Sequence, residues 1–245
     1  MRRIAIACLT FSAMALPAAA ADLALPQLAP QPAPIAAPVW TGFHIGVDAA
    51  GGFGNSRNSF SLAGIQFAPT FGNSPRGAVG GIEAGYDWQA GPLVLGLAAD
   101  FSVSGVRGTR TAPCGGGVCA GLPVSATYTQ KLPWFGTLRP RVGYAMGSAL
   151  LYVTGGYAYA SLETDATATF GPFSATHNGS ETRNGWALGA GAEYEFATHW
   201  TAKLEYLHLD LGRSSSNWTP APLPPITNAA HFDLDLVRAG VNYRF

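Results

Sequence analysis

Histidine and aspartate recur in two stretches of the chain, and both residue types suit acid–base chemistry or metal ligation. His208 and Asp210 end one segment of alternating residues, and His231, Asp233 and Asp235 begin the next such segment. A positioned His–Asp pair can exchange protons with a substrate near neutral pH. On neighbouring strands, these side chains would meet at one rim of a sheet. A solvated polar rim explains the pattern more simply, so the sequence predicts no catalytic residues and no metal ligands.

Two cysteines offer a different chemistry. Cys114 and Cys119 enclose the short stretch CGGGVC in a segment rich in glycine. A metal site would need four ligands, and no close partners are evident in the sequence. An even pair of cysteines in a loop of an exported protein indicates a disulfide. We therefore predict a disulfide between Cys114 and Cys119 that staples the tip of a loop.

The first residues of the chain have the features of an export signal. Residues 1–21 combine a basic start, an apolar core and a small-residue cleavage site after Ala20 or Ala21. Residues 22–39 are rich in proline and alanine and are predicted to form an extended linker. Residues 40–245 are predicted to form one domain. They contain no run of 18 apolar residues, so the sequence predicts no transmembrane helix.

The amino-acid composition limits the class of protein to which this chain can belong. Charged residues make up only 11% of the chain, against about 25% in ordinary soluble domains. Lysine plus arginine equals aspartate plus glutamate at 14 each, so the basic excess typical of a nucleic-acid partner is lacking. An exported chain that is poor in charge and rich in glycine and aromatic residues is typical of a barrel in the bacterial outer membrane.

The domain alternates apolar and polar residues in eight segments, which predicts eight strands with two different faces. The segments are residues 41–53, 78–89, 92–103, 127–142, 150–160, 184–196, 199–210 and 237–245. Short turns alternate with long connections rich in Gly, Ser, Asn and Pro. This pattern predicts an all-β fold: an eight-stranded, antiparallel, up-and-down transmembrane barrel with its short turns in the periplasm.

Charge placement predicts which face meets lipid. The faces opposite the apolar residues carry the charges of the strands, at Glu83, Asp87, Asp100, Lys131, Arg139, Arg141, Glu193, Glu195, Lys203, Glu205, Arg238 and Arg244. A lipid-facing Lys or Arg at mid-membrane costs about 2–4 kcal/mol. We therefore expect these side chains inside the barrel, and a soluble lipocalin-like barrel with its apolar face inward is disfavoured. Paired charges of both signs in so narrow an interior should block a wide pore.

Aromatic residues mark the two edges of the predicted membrane span. One set lies beside the short turns or chain ends, at Trp40, Trp88, Tyr144, Phe196, Trp200, Tyr243 and Phe245. A second set lies toward the long connections, at Phe53, Phe101, Trp134, Tyr159 and Trp186. Two aromatic girdles are expected of a barrel embedded in lipid.

Several stretches together resemble a known family. They are PVWTGFHIGV (38–47), WFGTLRPRVGYA (134–145), LLYVTGGYAYA (150–160), WALGAGAEYEF (186–196), KLEYLHLDLG (203–212) and VRAGVNYRF (237–245). As a set they resemble the OmpA-like eight-stranded outer-membrane proteins of alphaproteobacteria, also grouped as the small porin or outer-membrane immunogenic protein family. In that family a last strand ending in phenylalanine looks like the signal read by the assembly machinery, which implies this role for Phe245.

The resemblance also implies a location and a role. It implies a bacterial outer-membrane protein, without enzymatic activity, that contributes to envelope integrity and presents surface loops. Its expected partners are outer-membrane lipid, lipopolysaccharide and the barrel assembly machinery, together with an unidentified ligand of the loops. A narrow pore for small solutes is the main alternative. Some relatives are described as haemin-binding, and His177, His208 or His231 would then hold the iron, but the sequence has no haem motif and we expect no cofactor.

Overall fold

A computed structural model of the protein describes residues 40–62, 65–66, 71–113, 124–170, 172–218 and 226–245. The predicted signal peptide and linker lie outside the described residues, as do Cys114 and Cys119 with their predicted disulfide. Within the described ranges, no helix is long and apolar enough to cross a membrane.

The described chain is built from ten antiparallel strands. They are β1 (Gly42–Leu62), β2 (Ile65–Gln66), β3 (Phe71–Asn73), β4 (Arg76–Ala90), β5 (Leu93–Pro113), β6 (Val124–Met146), β7 (Ala149–Phe170), β8 (Phe173–Ala197), β9 (Trp200–Trp218) and β10 (Ile226–Arg244). The eight long strands pair in the order β10-β9-β8-β7-β6-β5-β4-β1, and β10 also pairs with β1. The sheet therefore closes on itself, which confirms the predicted eight-stranded barrel. The short strands β2 and β3 pair with β1 beyond this ring.

The last strand completes the ring along its whole length. Pairing between β1 and β10 runs from His44 opposite Arg244 to Leu62 opposite Ile226. Beyond the last paired residue, the backbone N–H of Phe245 donates a hydrogen bond to the carbonyl of Phe43, over 2.9 Å. The terminal aromatic residue thus lies at the seam where the barrel closes.

Tight turns join the strands at one end of the barrel, which we call the short-turn end. Gly91 and Gly147 occupy two of these turns, and both have a φ of 62° in the left-handed region that glycine tolerates best. His199 occupies a third turn with a φ of 69°, the one described non-glycine residue with a positive φ.

At the opposite end, which we call the loop end, the strands are longer than the sequence predicted. The sequence predicts a long connection between residues 160 and 184. In the structure, β7 and β8 continue to pair through this segment, as far as Phe170 opposite Phe173. Threonines face one another across these extensions, with hydroxyl oxygens 3.2 Å apart in the Thr167–Thr176 pair. Threonine suits strands and forms favourable cross-strand pairs, which explains why polar segments continue the sheet.

The two faces of the strands have the predicted polarity. On β4, Ile82 is 62% exposed on the outside of the barrel, whereas the neighbouring Glu83 is only 5% exposed. Trp40 departs from the prediction, because it is buried rather than part of an aromatic girdle. It packs with Val94, Leu150 and Tyr152 inside the short-turn end.

Next to the buried charges, on the side of the loop end, the interior contains an apolar cluster that alternation in the sequence did not predict. We call this cluster the apolar layer, and its members are Ala50, Val79, Val106, Leu132, Phe135, Ala158, Ala160, Leu162, Ala187, Leu207, Leu209, Leu211, Phe232, Leu234 and Leu236. All of them are buried. The apolar layer therefore lies between the buried charges and further buried polar side chains nearer the loop end, which include Ser56, Gln130 and Arg183.

Candidate functional site

Charged side chains from seven strands fill the middle of the barrel. We call this set the ionic layer, and its buried members are Asp48, Glu83, Asp87, Asp100, Arg139, Arg141, Glu193, Lys203, Glu205, Arg238 and Arg244. Alternation places them there, because each lies on the strand face opposite the lipid-exposed residues. The layer contains six acids and five permanently charged bases, so the charges nearly balance among the described residues.

Arg141 links two acids at the short-turn side of the ionic layer. Its Nε lies 2.7 Å from Asp87 Oδ1, and its Nη2 donates to the other oxygen of the same carboxylate. Its Nη1 donates to Glu193 Oε1 over 2.6 Å. The bidentate contact fixes the orientation of the guanidinium, as is typical of paired arginine and carboxylate groups. The guanidinium carbon of Arg141 also lies over the ring of Tyr152, 5.2 Å from the ring centroid.

Arg139 and Arg238 form a second group around Asp100. Nη2 of Arg139 lies 3.1 Å from Asp100 Oδ2, and Nη2 of Arg238 lies 3.0 Å from Asp100 Oδ1. Arg139 also reaches Glu205 at 3.1 Å. The guanidinium of Arg238 lies 5.6 Å from the ring of Phe135, where the ionic layer meets the apolar layer. One carboxylate is therefore shared by cations from two distant strands.

The remaining charges cross the interior. Lys203 on β9 donates to Glu83 on β4, with 2.7 Å between Nζ and Oε2. The hydroxyl of Tyr152 donates to Glu205 over 2.9 Å. The first contact joins strands separated by β10 and β1, and the second joins strands separated by β8, so these side chains extend into the space that a pore would need.

Two predicted residues lie nearer the short-turn mouth. Arg244 reaches Asp87 at 3.3 Å and Glu193 at 3.7 Å, and it lies over the ring of Trp40. Glu195 is only partly buried and lines a cleft at this mouth with Arg244 and Phe245. Glu195 therefore lies at the edge of the group of charges that the sequence placed inside the barrel.

Lys131 does not lie inside the barrel, which corrects the sequence prediction. Its side chain is 45% exposed, and Nζ lies 2.8 Å from Asp165 on the outside. The register of β6 shifts between Lys131 and Trp134, where Pro133 removes a backbone donor. This irregularity reverses the inward and outward faces. The hydrogen bond to Asp165 raises the pKa of Lys131.

Glycine makes room for the ionic layer at specific points. A Cβ added to Gly96 would collide with the carboxylate of Asp87 and lie 3.0 Å from Arg141 Cγ. A Cβ added to Gly85 would lie 2.6 Å from the ring of His44. His44 is itself buried, with Nδ1 3.5 Å from Asp87 Oδ2.

At the loop end, β9 and β10 bring the histidines and aspartates together as the sequence suggested. His208 Nδ1 lies 2.8 Å from Asp235 Oδ1, and the hydroxyl of Tyr206 donates to the same oxygen over 2.7 Å. The His208 ring lies beside Trp186, with 5.4 Å between ring centroids. These side chains lie on the outer face of the barrel, level with the aromatic residues of the loop end.

A second group surrounds His231. Its Nε2 lies 2.8 Å from Asp233 Oδ1 and 3.9 Å from Asp210 Oδ1, and all three side chains are half-buried. The side chain of His177, the third histidine considered for haemin, is outside the described part of the structure.

Comparison with known proteins identifies the family of this barrel. The family model described as outer membrane protein beta-barrel domain matches residues 6–245. The chain belongs to this family. It is 37% identical over 227 residues to the 31 kDa outer-membrane immunogenic protein of Brucella melitensis biotype 1, covering 87% of this chain and 88% of that protein. It is 30% identical over 174 residues to the 22 kDa outer membrane protein of Rhizobium leguminosarum bv. viciae, covering 70% of this chain and 64% of that protein.

These relatives confirm the predicted resemblance and the location in the bacterial outer membrane. The loop end of this family member is therefore the extracellular end, since short turns face the periplasm in such barrels. Phe245 sits at the closing seam and is 65% exposed, but its role as an assembly signal stays a prediction.

Solved structures agree with the fold. The outer membrane protein OprG from Pseudomonas aeruginosa superposes with a TM-score of 0.52 at 14% identity, covering 84% of this chain and 98% of that one. The outer membrane protease OmpT from Escherichia coli gives a TM-score of 0.54 at 11% identity, covering 83% and 97%. At such low identity the likeness concerns the barrel fold alone.

Proposed function

We propose that this outer-membrane barrel is a closed structural element that supports envelope integrity and presents its extracellular strand ends and loops. The observation that carries the proposal is the filled interior. Arg139, Arg141 and Lys203 contact Glu205, Glu193 and Glu83 on strands that are not their neighbours, and the apolar layer packs above them. An eight-stranded barrel is just wide enough for side chains to fill, so the packing of the described residues leaves no wide aqueous path between them.

The proposal also treats the protein as non-enzymatic. The relatives carry names of outer-membrane and immunogenic proteins, whereas OmpT, a distant fold neighbour at 11% identity, is called a protease. Long paired strands such as β7 and β8 hold the extracellular surface away from the membrane. A rigid surface of this kind suits contact with lipopolysaccharide or with an extracellular partner.

The test is deletion of the gene in its own bacterium. We expect the deletion strain to become sensitive to detergent and to large antibiotics that an intact outer membrane excludes. Complementation should use the wild-type gene and a matched variant in which a two-residue turn replaces residues 163–180, so that the native pair of Leu162 and Glu181 closes the shortened β7–β8 hairpin. Restoration by both genes would support a role that resides in the closed barrel, whereas restoration by the wild type alone would assign it to the extracellular hairpin.

A narrow pore would give a different result. The deletion strain would then keep its resistance to detergent and lose uptake of small hydrophilic solutes, which radiolabelled sugars and amino acids would reveal. That result would overturn the structural role in favour of transport.

A further inference from the structure

Three side chains at the extracellular rim converge on one point. Asp210 of β9 and His231 and Asp233 of β10 each offer a ligand atom, and these atoms all lie within 4.8 Å of one another. All three are half-buried and none belongs to the ionic layer. Imidazole nitrogen and carboxylate oxygen are ligands that zinc and other first-row divalent ions accept.

A bulge in β9 creates this convergence. Asp210 pairs with Asp233 and Arg213 pairs with His231, so two residues of β9 lie opposite the single residue Phe232 of β10. Gly212 provides the extra residue, with a φ of 68° in the left-handed region. Its N–H donates to Asp210 Oδ1 over 2.8 Å. Bulges of this type re-aim side chains and are frequent beside functional sites.

The backbone at the bulge also defines the proton position on His231. Nδ1 of the ring lies 3.0 Å from the carbonyl oxygen of Gly212. A carbonyl oxygen only accepts hydrogen bonds, so Nδ1 must carry the proton. In the neutral ring Nε2 then presents a lone pair, yet it lies 2.8 Å from the carboxylate of Asp233. A proton shared by Nε2 and the carboxylate accounts for this short contact without a metal, and a divalent ion bound here would replace that proton. A histidine that donates its other N–H to a backbone carbonyl is typical of metal ligation.

We propose that Asp210, His231 and Asp233 bind a divalent transition-metal ion at the extracellular rim of β9 and β10. Two carboxylates and a neutral imidazole carry two negative charges, which match a divalent ion. Two other charges lie near the site. Asp235, on the same outward face, adds a negative charge that attracts the ion, whereas Arg213, the cross-strand partner of His231, carries a positive charge that repels it. The three ligands leave positions open toward the outside, where water or an anionic headgroup can complete the shell.

Zinc binding to the refolded protein tests the proposal independently of the envelope role. Residues 22–245 would be refolded in detergent, with Cys114 and Cys119 changed to serine so that no thiol binds zinc. Calorimetric titration with zinc chloride near neutral pH should show one ion per barrel. His231→Ala and Asp233→Asn should each weaken zinc binding by at least about tenfold. Cobalt should give visible absorption bands that His231→Ala removes.

The control variants are His208→Ala and Asp235→Asn, because this pair lies on the same rim and the same face outside the three-ligand group. His208→Ala should leave zinc binding unchanged, and Asp235→Asn, which removes only a neighbouring charge, should weaken zinc binding less than either ligand variant does. A folded barrel that shows no saturable zinc binding would overturn the proposal, as would binding that His231→Ala leaves unchanged. Faster gel mobility before boiling would verify that each variant is folded.

Discussion

Arg141 contacts both oxygens of the Asp87 carboxylate inside the barrel, and its third nitrogen reaches Glu193. Asp87 and Arg141 come from strands β4 and β6, which are not neighbours in the sheet, so the ion pair spans the interior above Gly96 of β5. The pair is almost completely buried. In such a buried salt bridge, the free energy lost when each charge leaves water is offset by its attraction to the partner, so removal of one partner is destabilising.

Replacement of Asp87 should destabilise the barrel strongly. In Asp87→Asn the shape is kept, but Arg141 loses its bidentate ion pair and retains only the contact with Glu193. Removal of one partner of a buried ion pair typically costs about 3–5 kcal/mol. Urea titration of the protein refolded into lipid vesicles would measure the free energy of unfolding. The matched control is Asp165→Asn, which breaks the exposed pair with Lys131 and should leave the unfolding midpoint unchanged. Equal effects of the two variants would contradict this account of the ionic layer.

Gly96 should not tolerate a methyl group. The added Cβ of Gly96→Ala would collide with Asp87 and press on Arg141, and overpacking of this kind costs about 1–3 kcal/mol. Gly80→Ala on the neighbouring strand is the control, because its Cβ would have no described atom nearer than 4.0 Å. The same urea titration compares them. A Gly96→Ala barrel as stable as Gly80→Ala would show that the interior adapts more freely than the structure indicates.

The two lysines of the chain should differ in reactivity. Lys131 lies exposed on the outer face beyond the aromatic residues of the loop end, whereas Lys203 is buried against Glu83. An amine-reactive reagent that does not cross membranes should therefore label Lys131 on intact cells and leave Lys203 unmodified. Peptide mass spectrometry would locate the label, with Lys131→Arg as the control. Labelling of Lys203 in the folded barrel would contradict the closed interior.

Alternation in the sequence was enough to predict the barrel. Eight segments of period 2 located all eight long strands, and residues such as Glu83 and Ile82 gave the correct polarity of the two faces. Closure followed from the final strand, whose alternation continues to Arg244 beside β1. These features depend on the local order of the residues, so they can be predicted from the sequence without a structure.

Other features depend on contacts that local order does not contain. Pro133 lies at an irregularity that turns Lys131 outward, and alternation counted through it gives the wrong face. Leu207 and Leu209 continue the inward face of β9 above Lys203, where apolar residues look the same whether they face lipid or the interior. Trp40 looked like a girdle residue because only its packing against Val94 and Leu150 shows that it is internal. The rim cluster needed the Gly212 bulge, which alternation does not predict.

The measurement that tests the central claim most directly is the conductance of the refolded wild-type barrel in a planar lipid bilayer. The account predicts a current equal to that of the lipid alone, because the ionic and apolar layers fill the interior. Gel mobility before boiling would verify that the inserted protein is folded. Reproducible unitary current steps that disappear when the sample is heat-denatured would contradict the closed barrel and would establish the narrow pore instead.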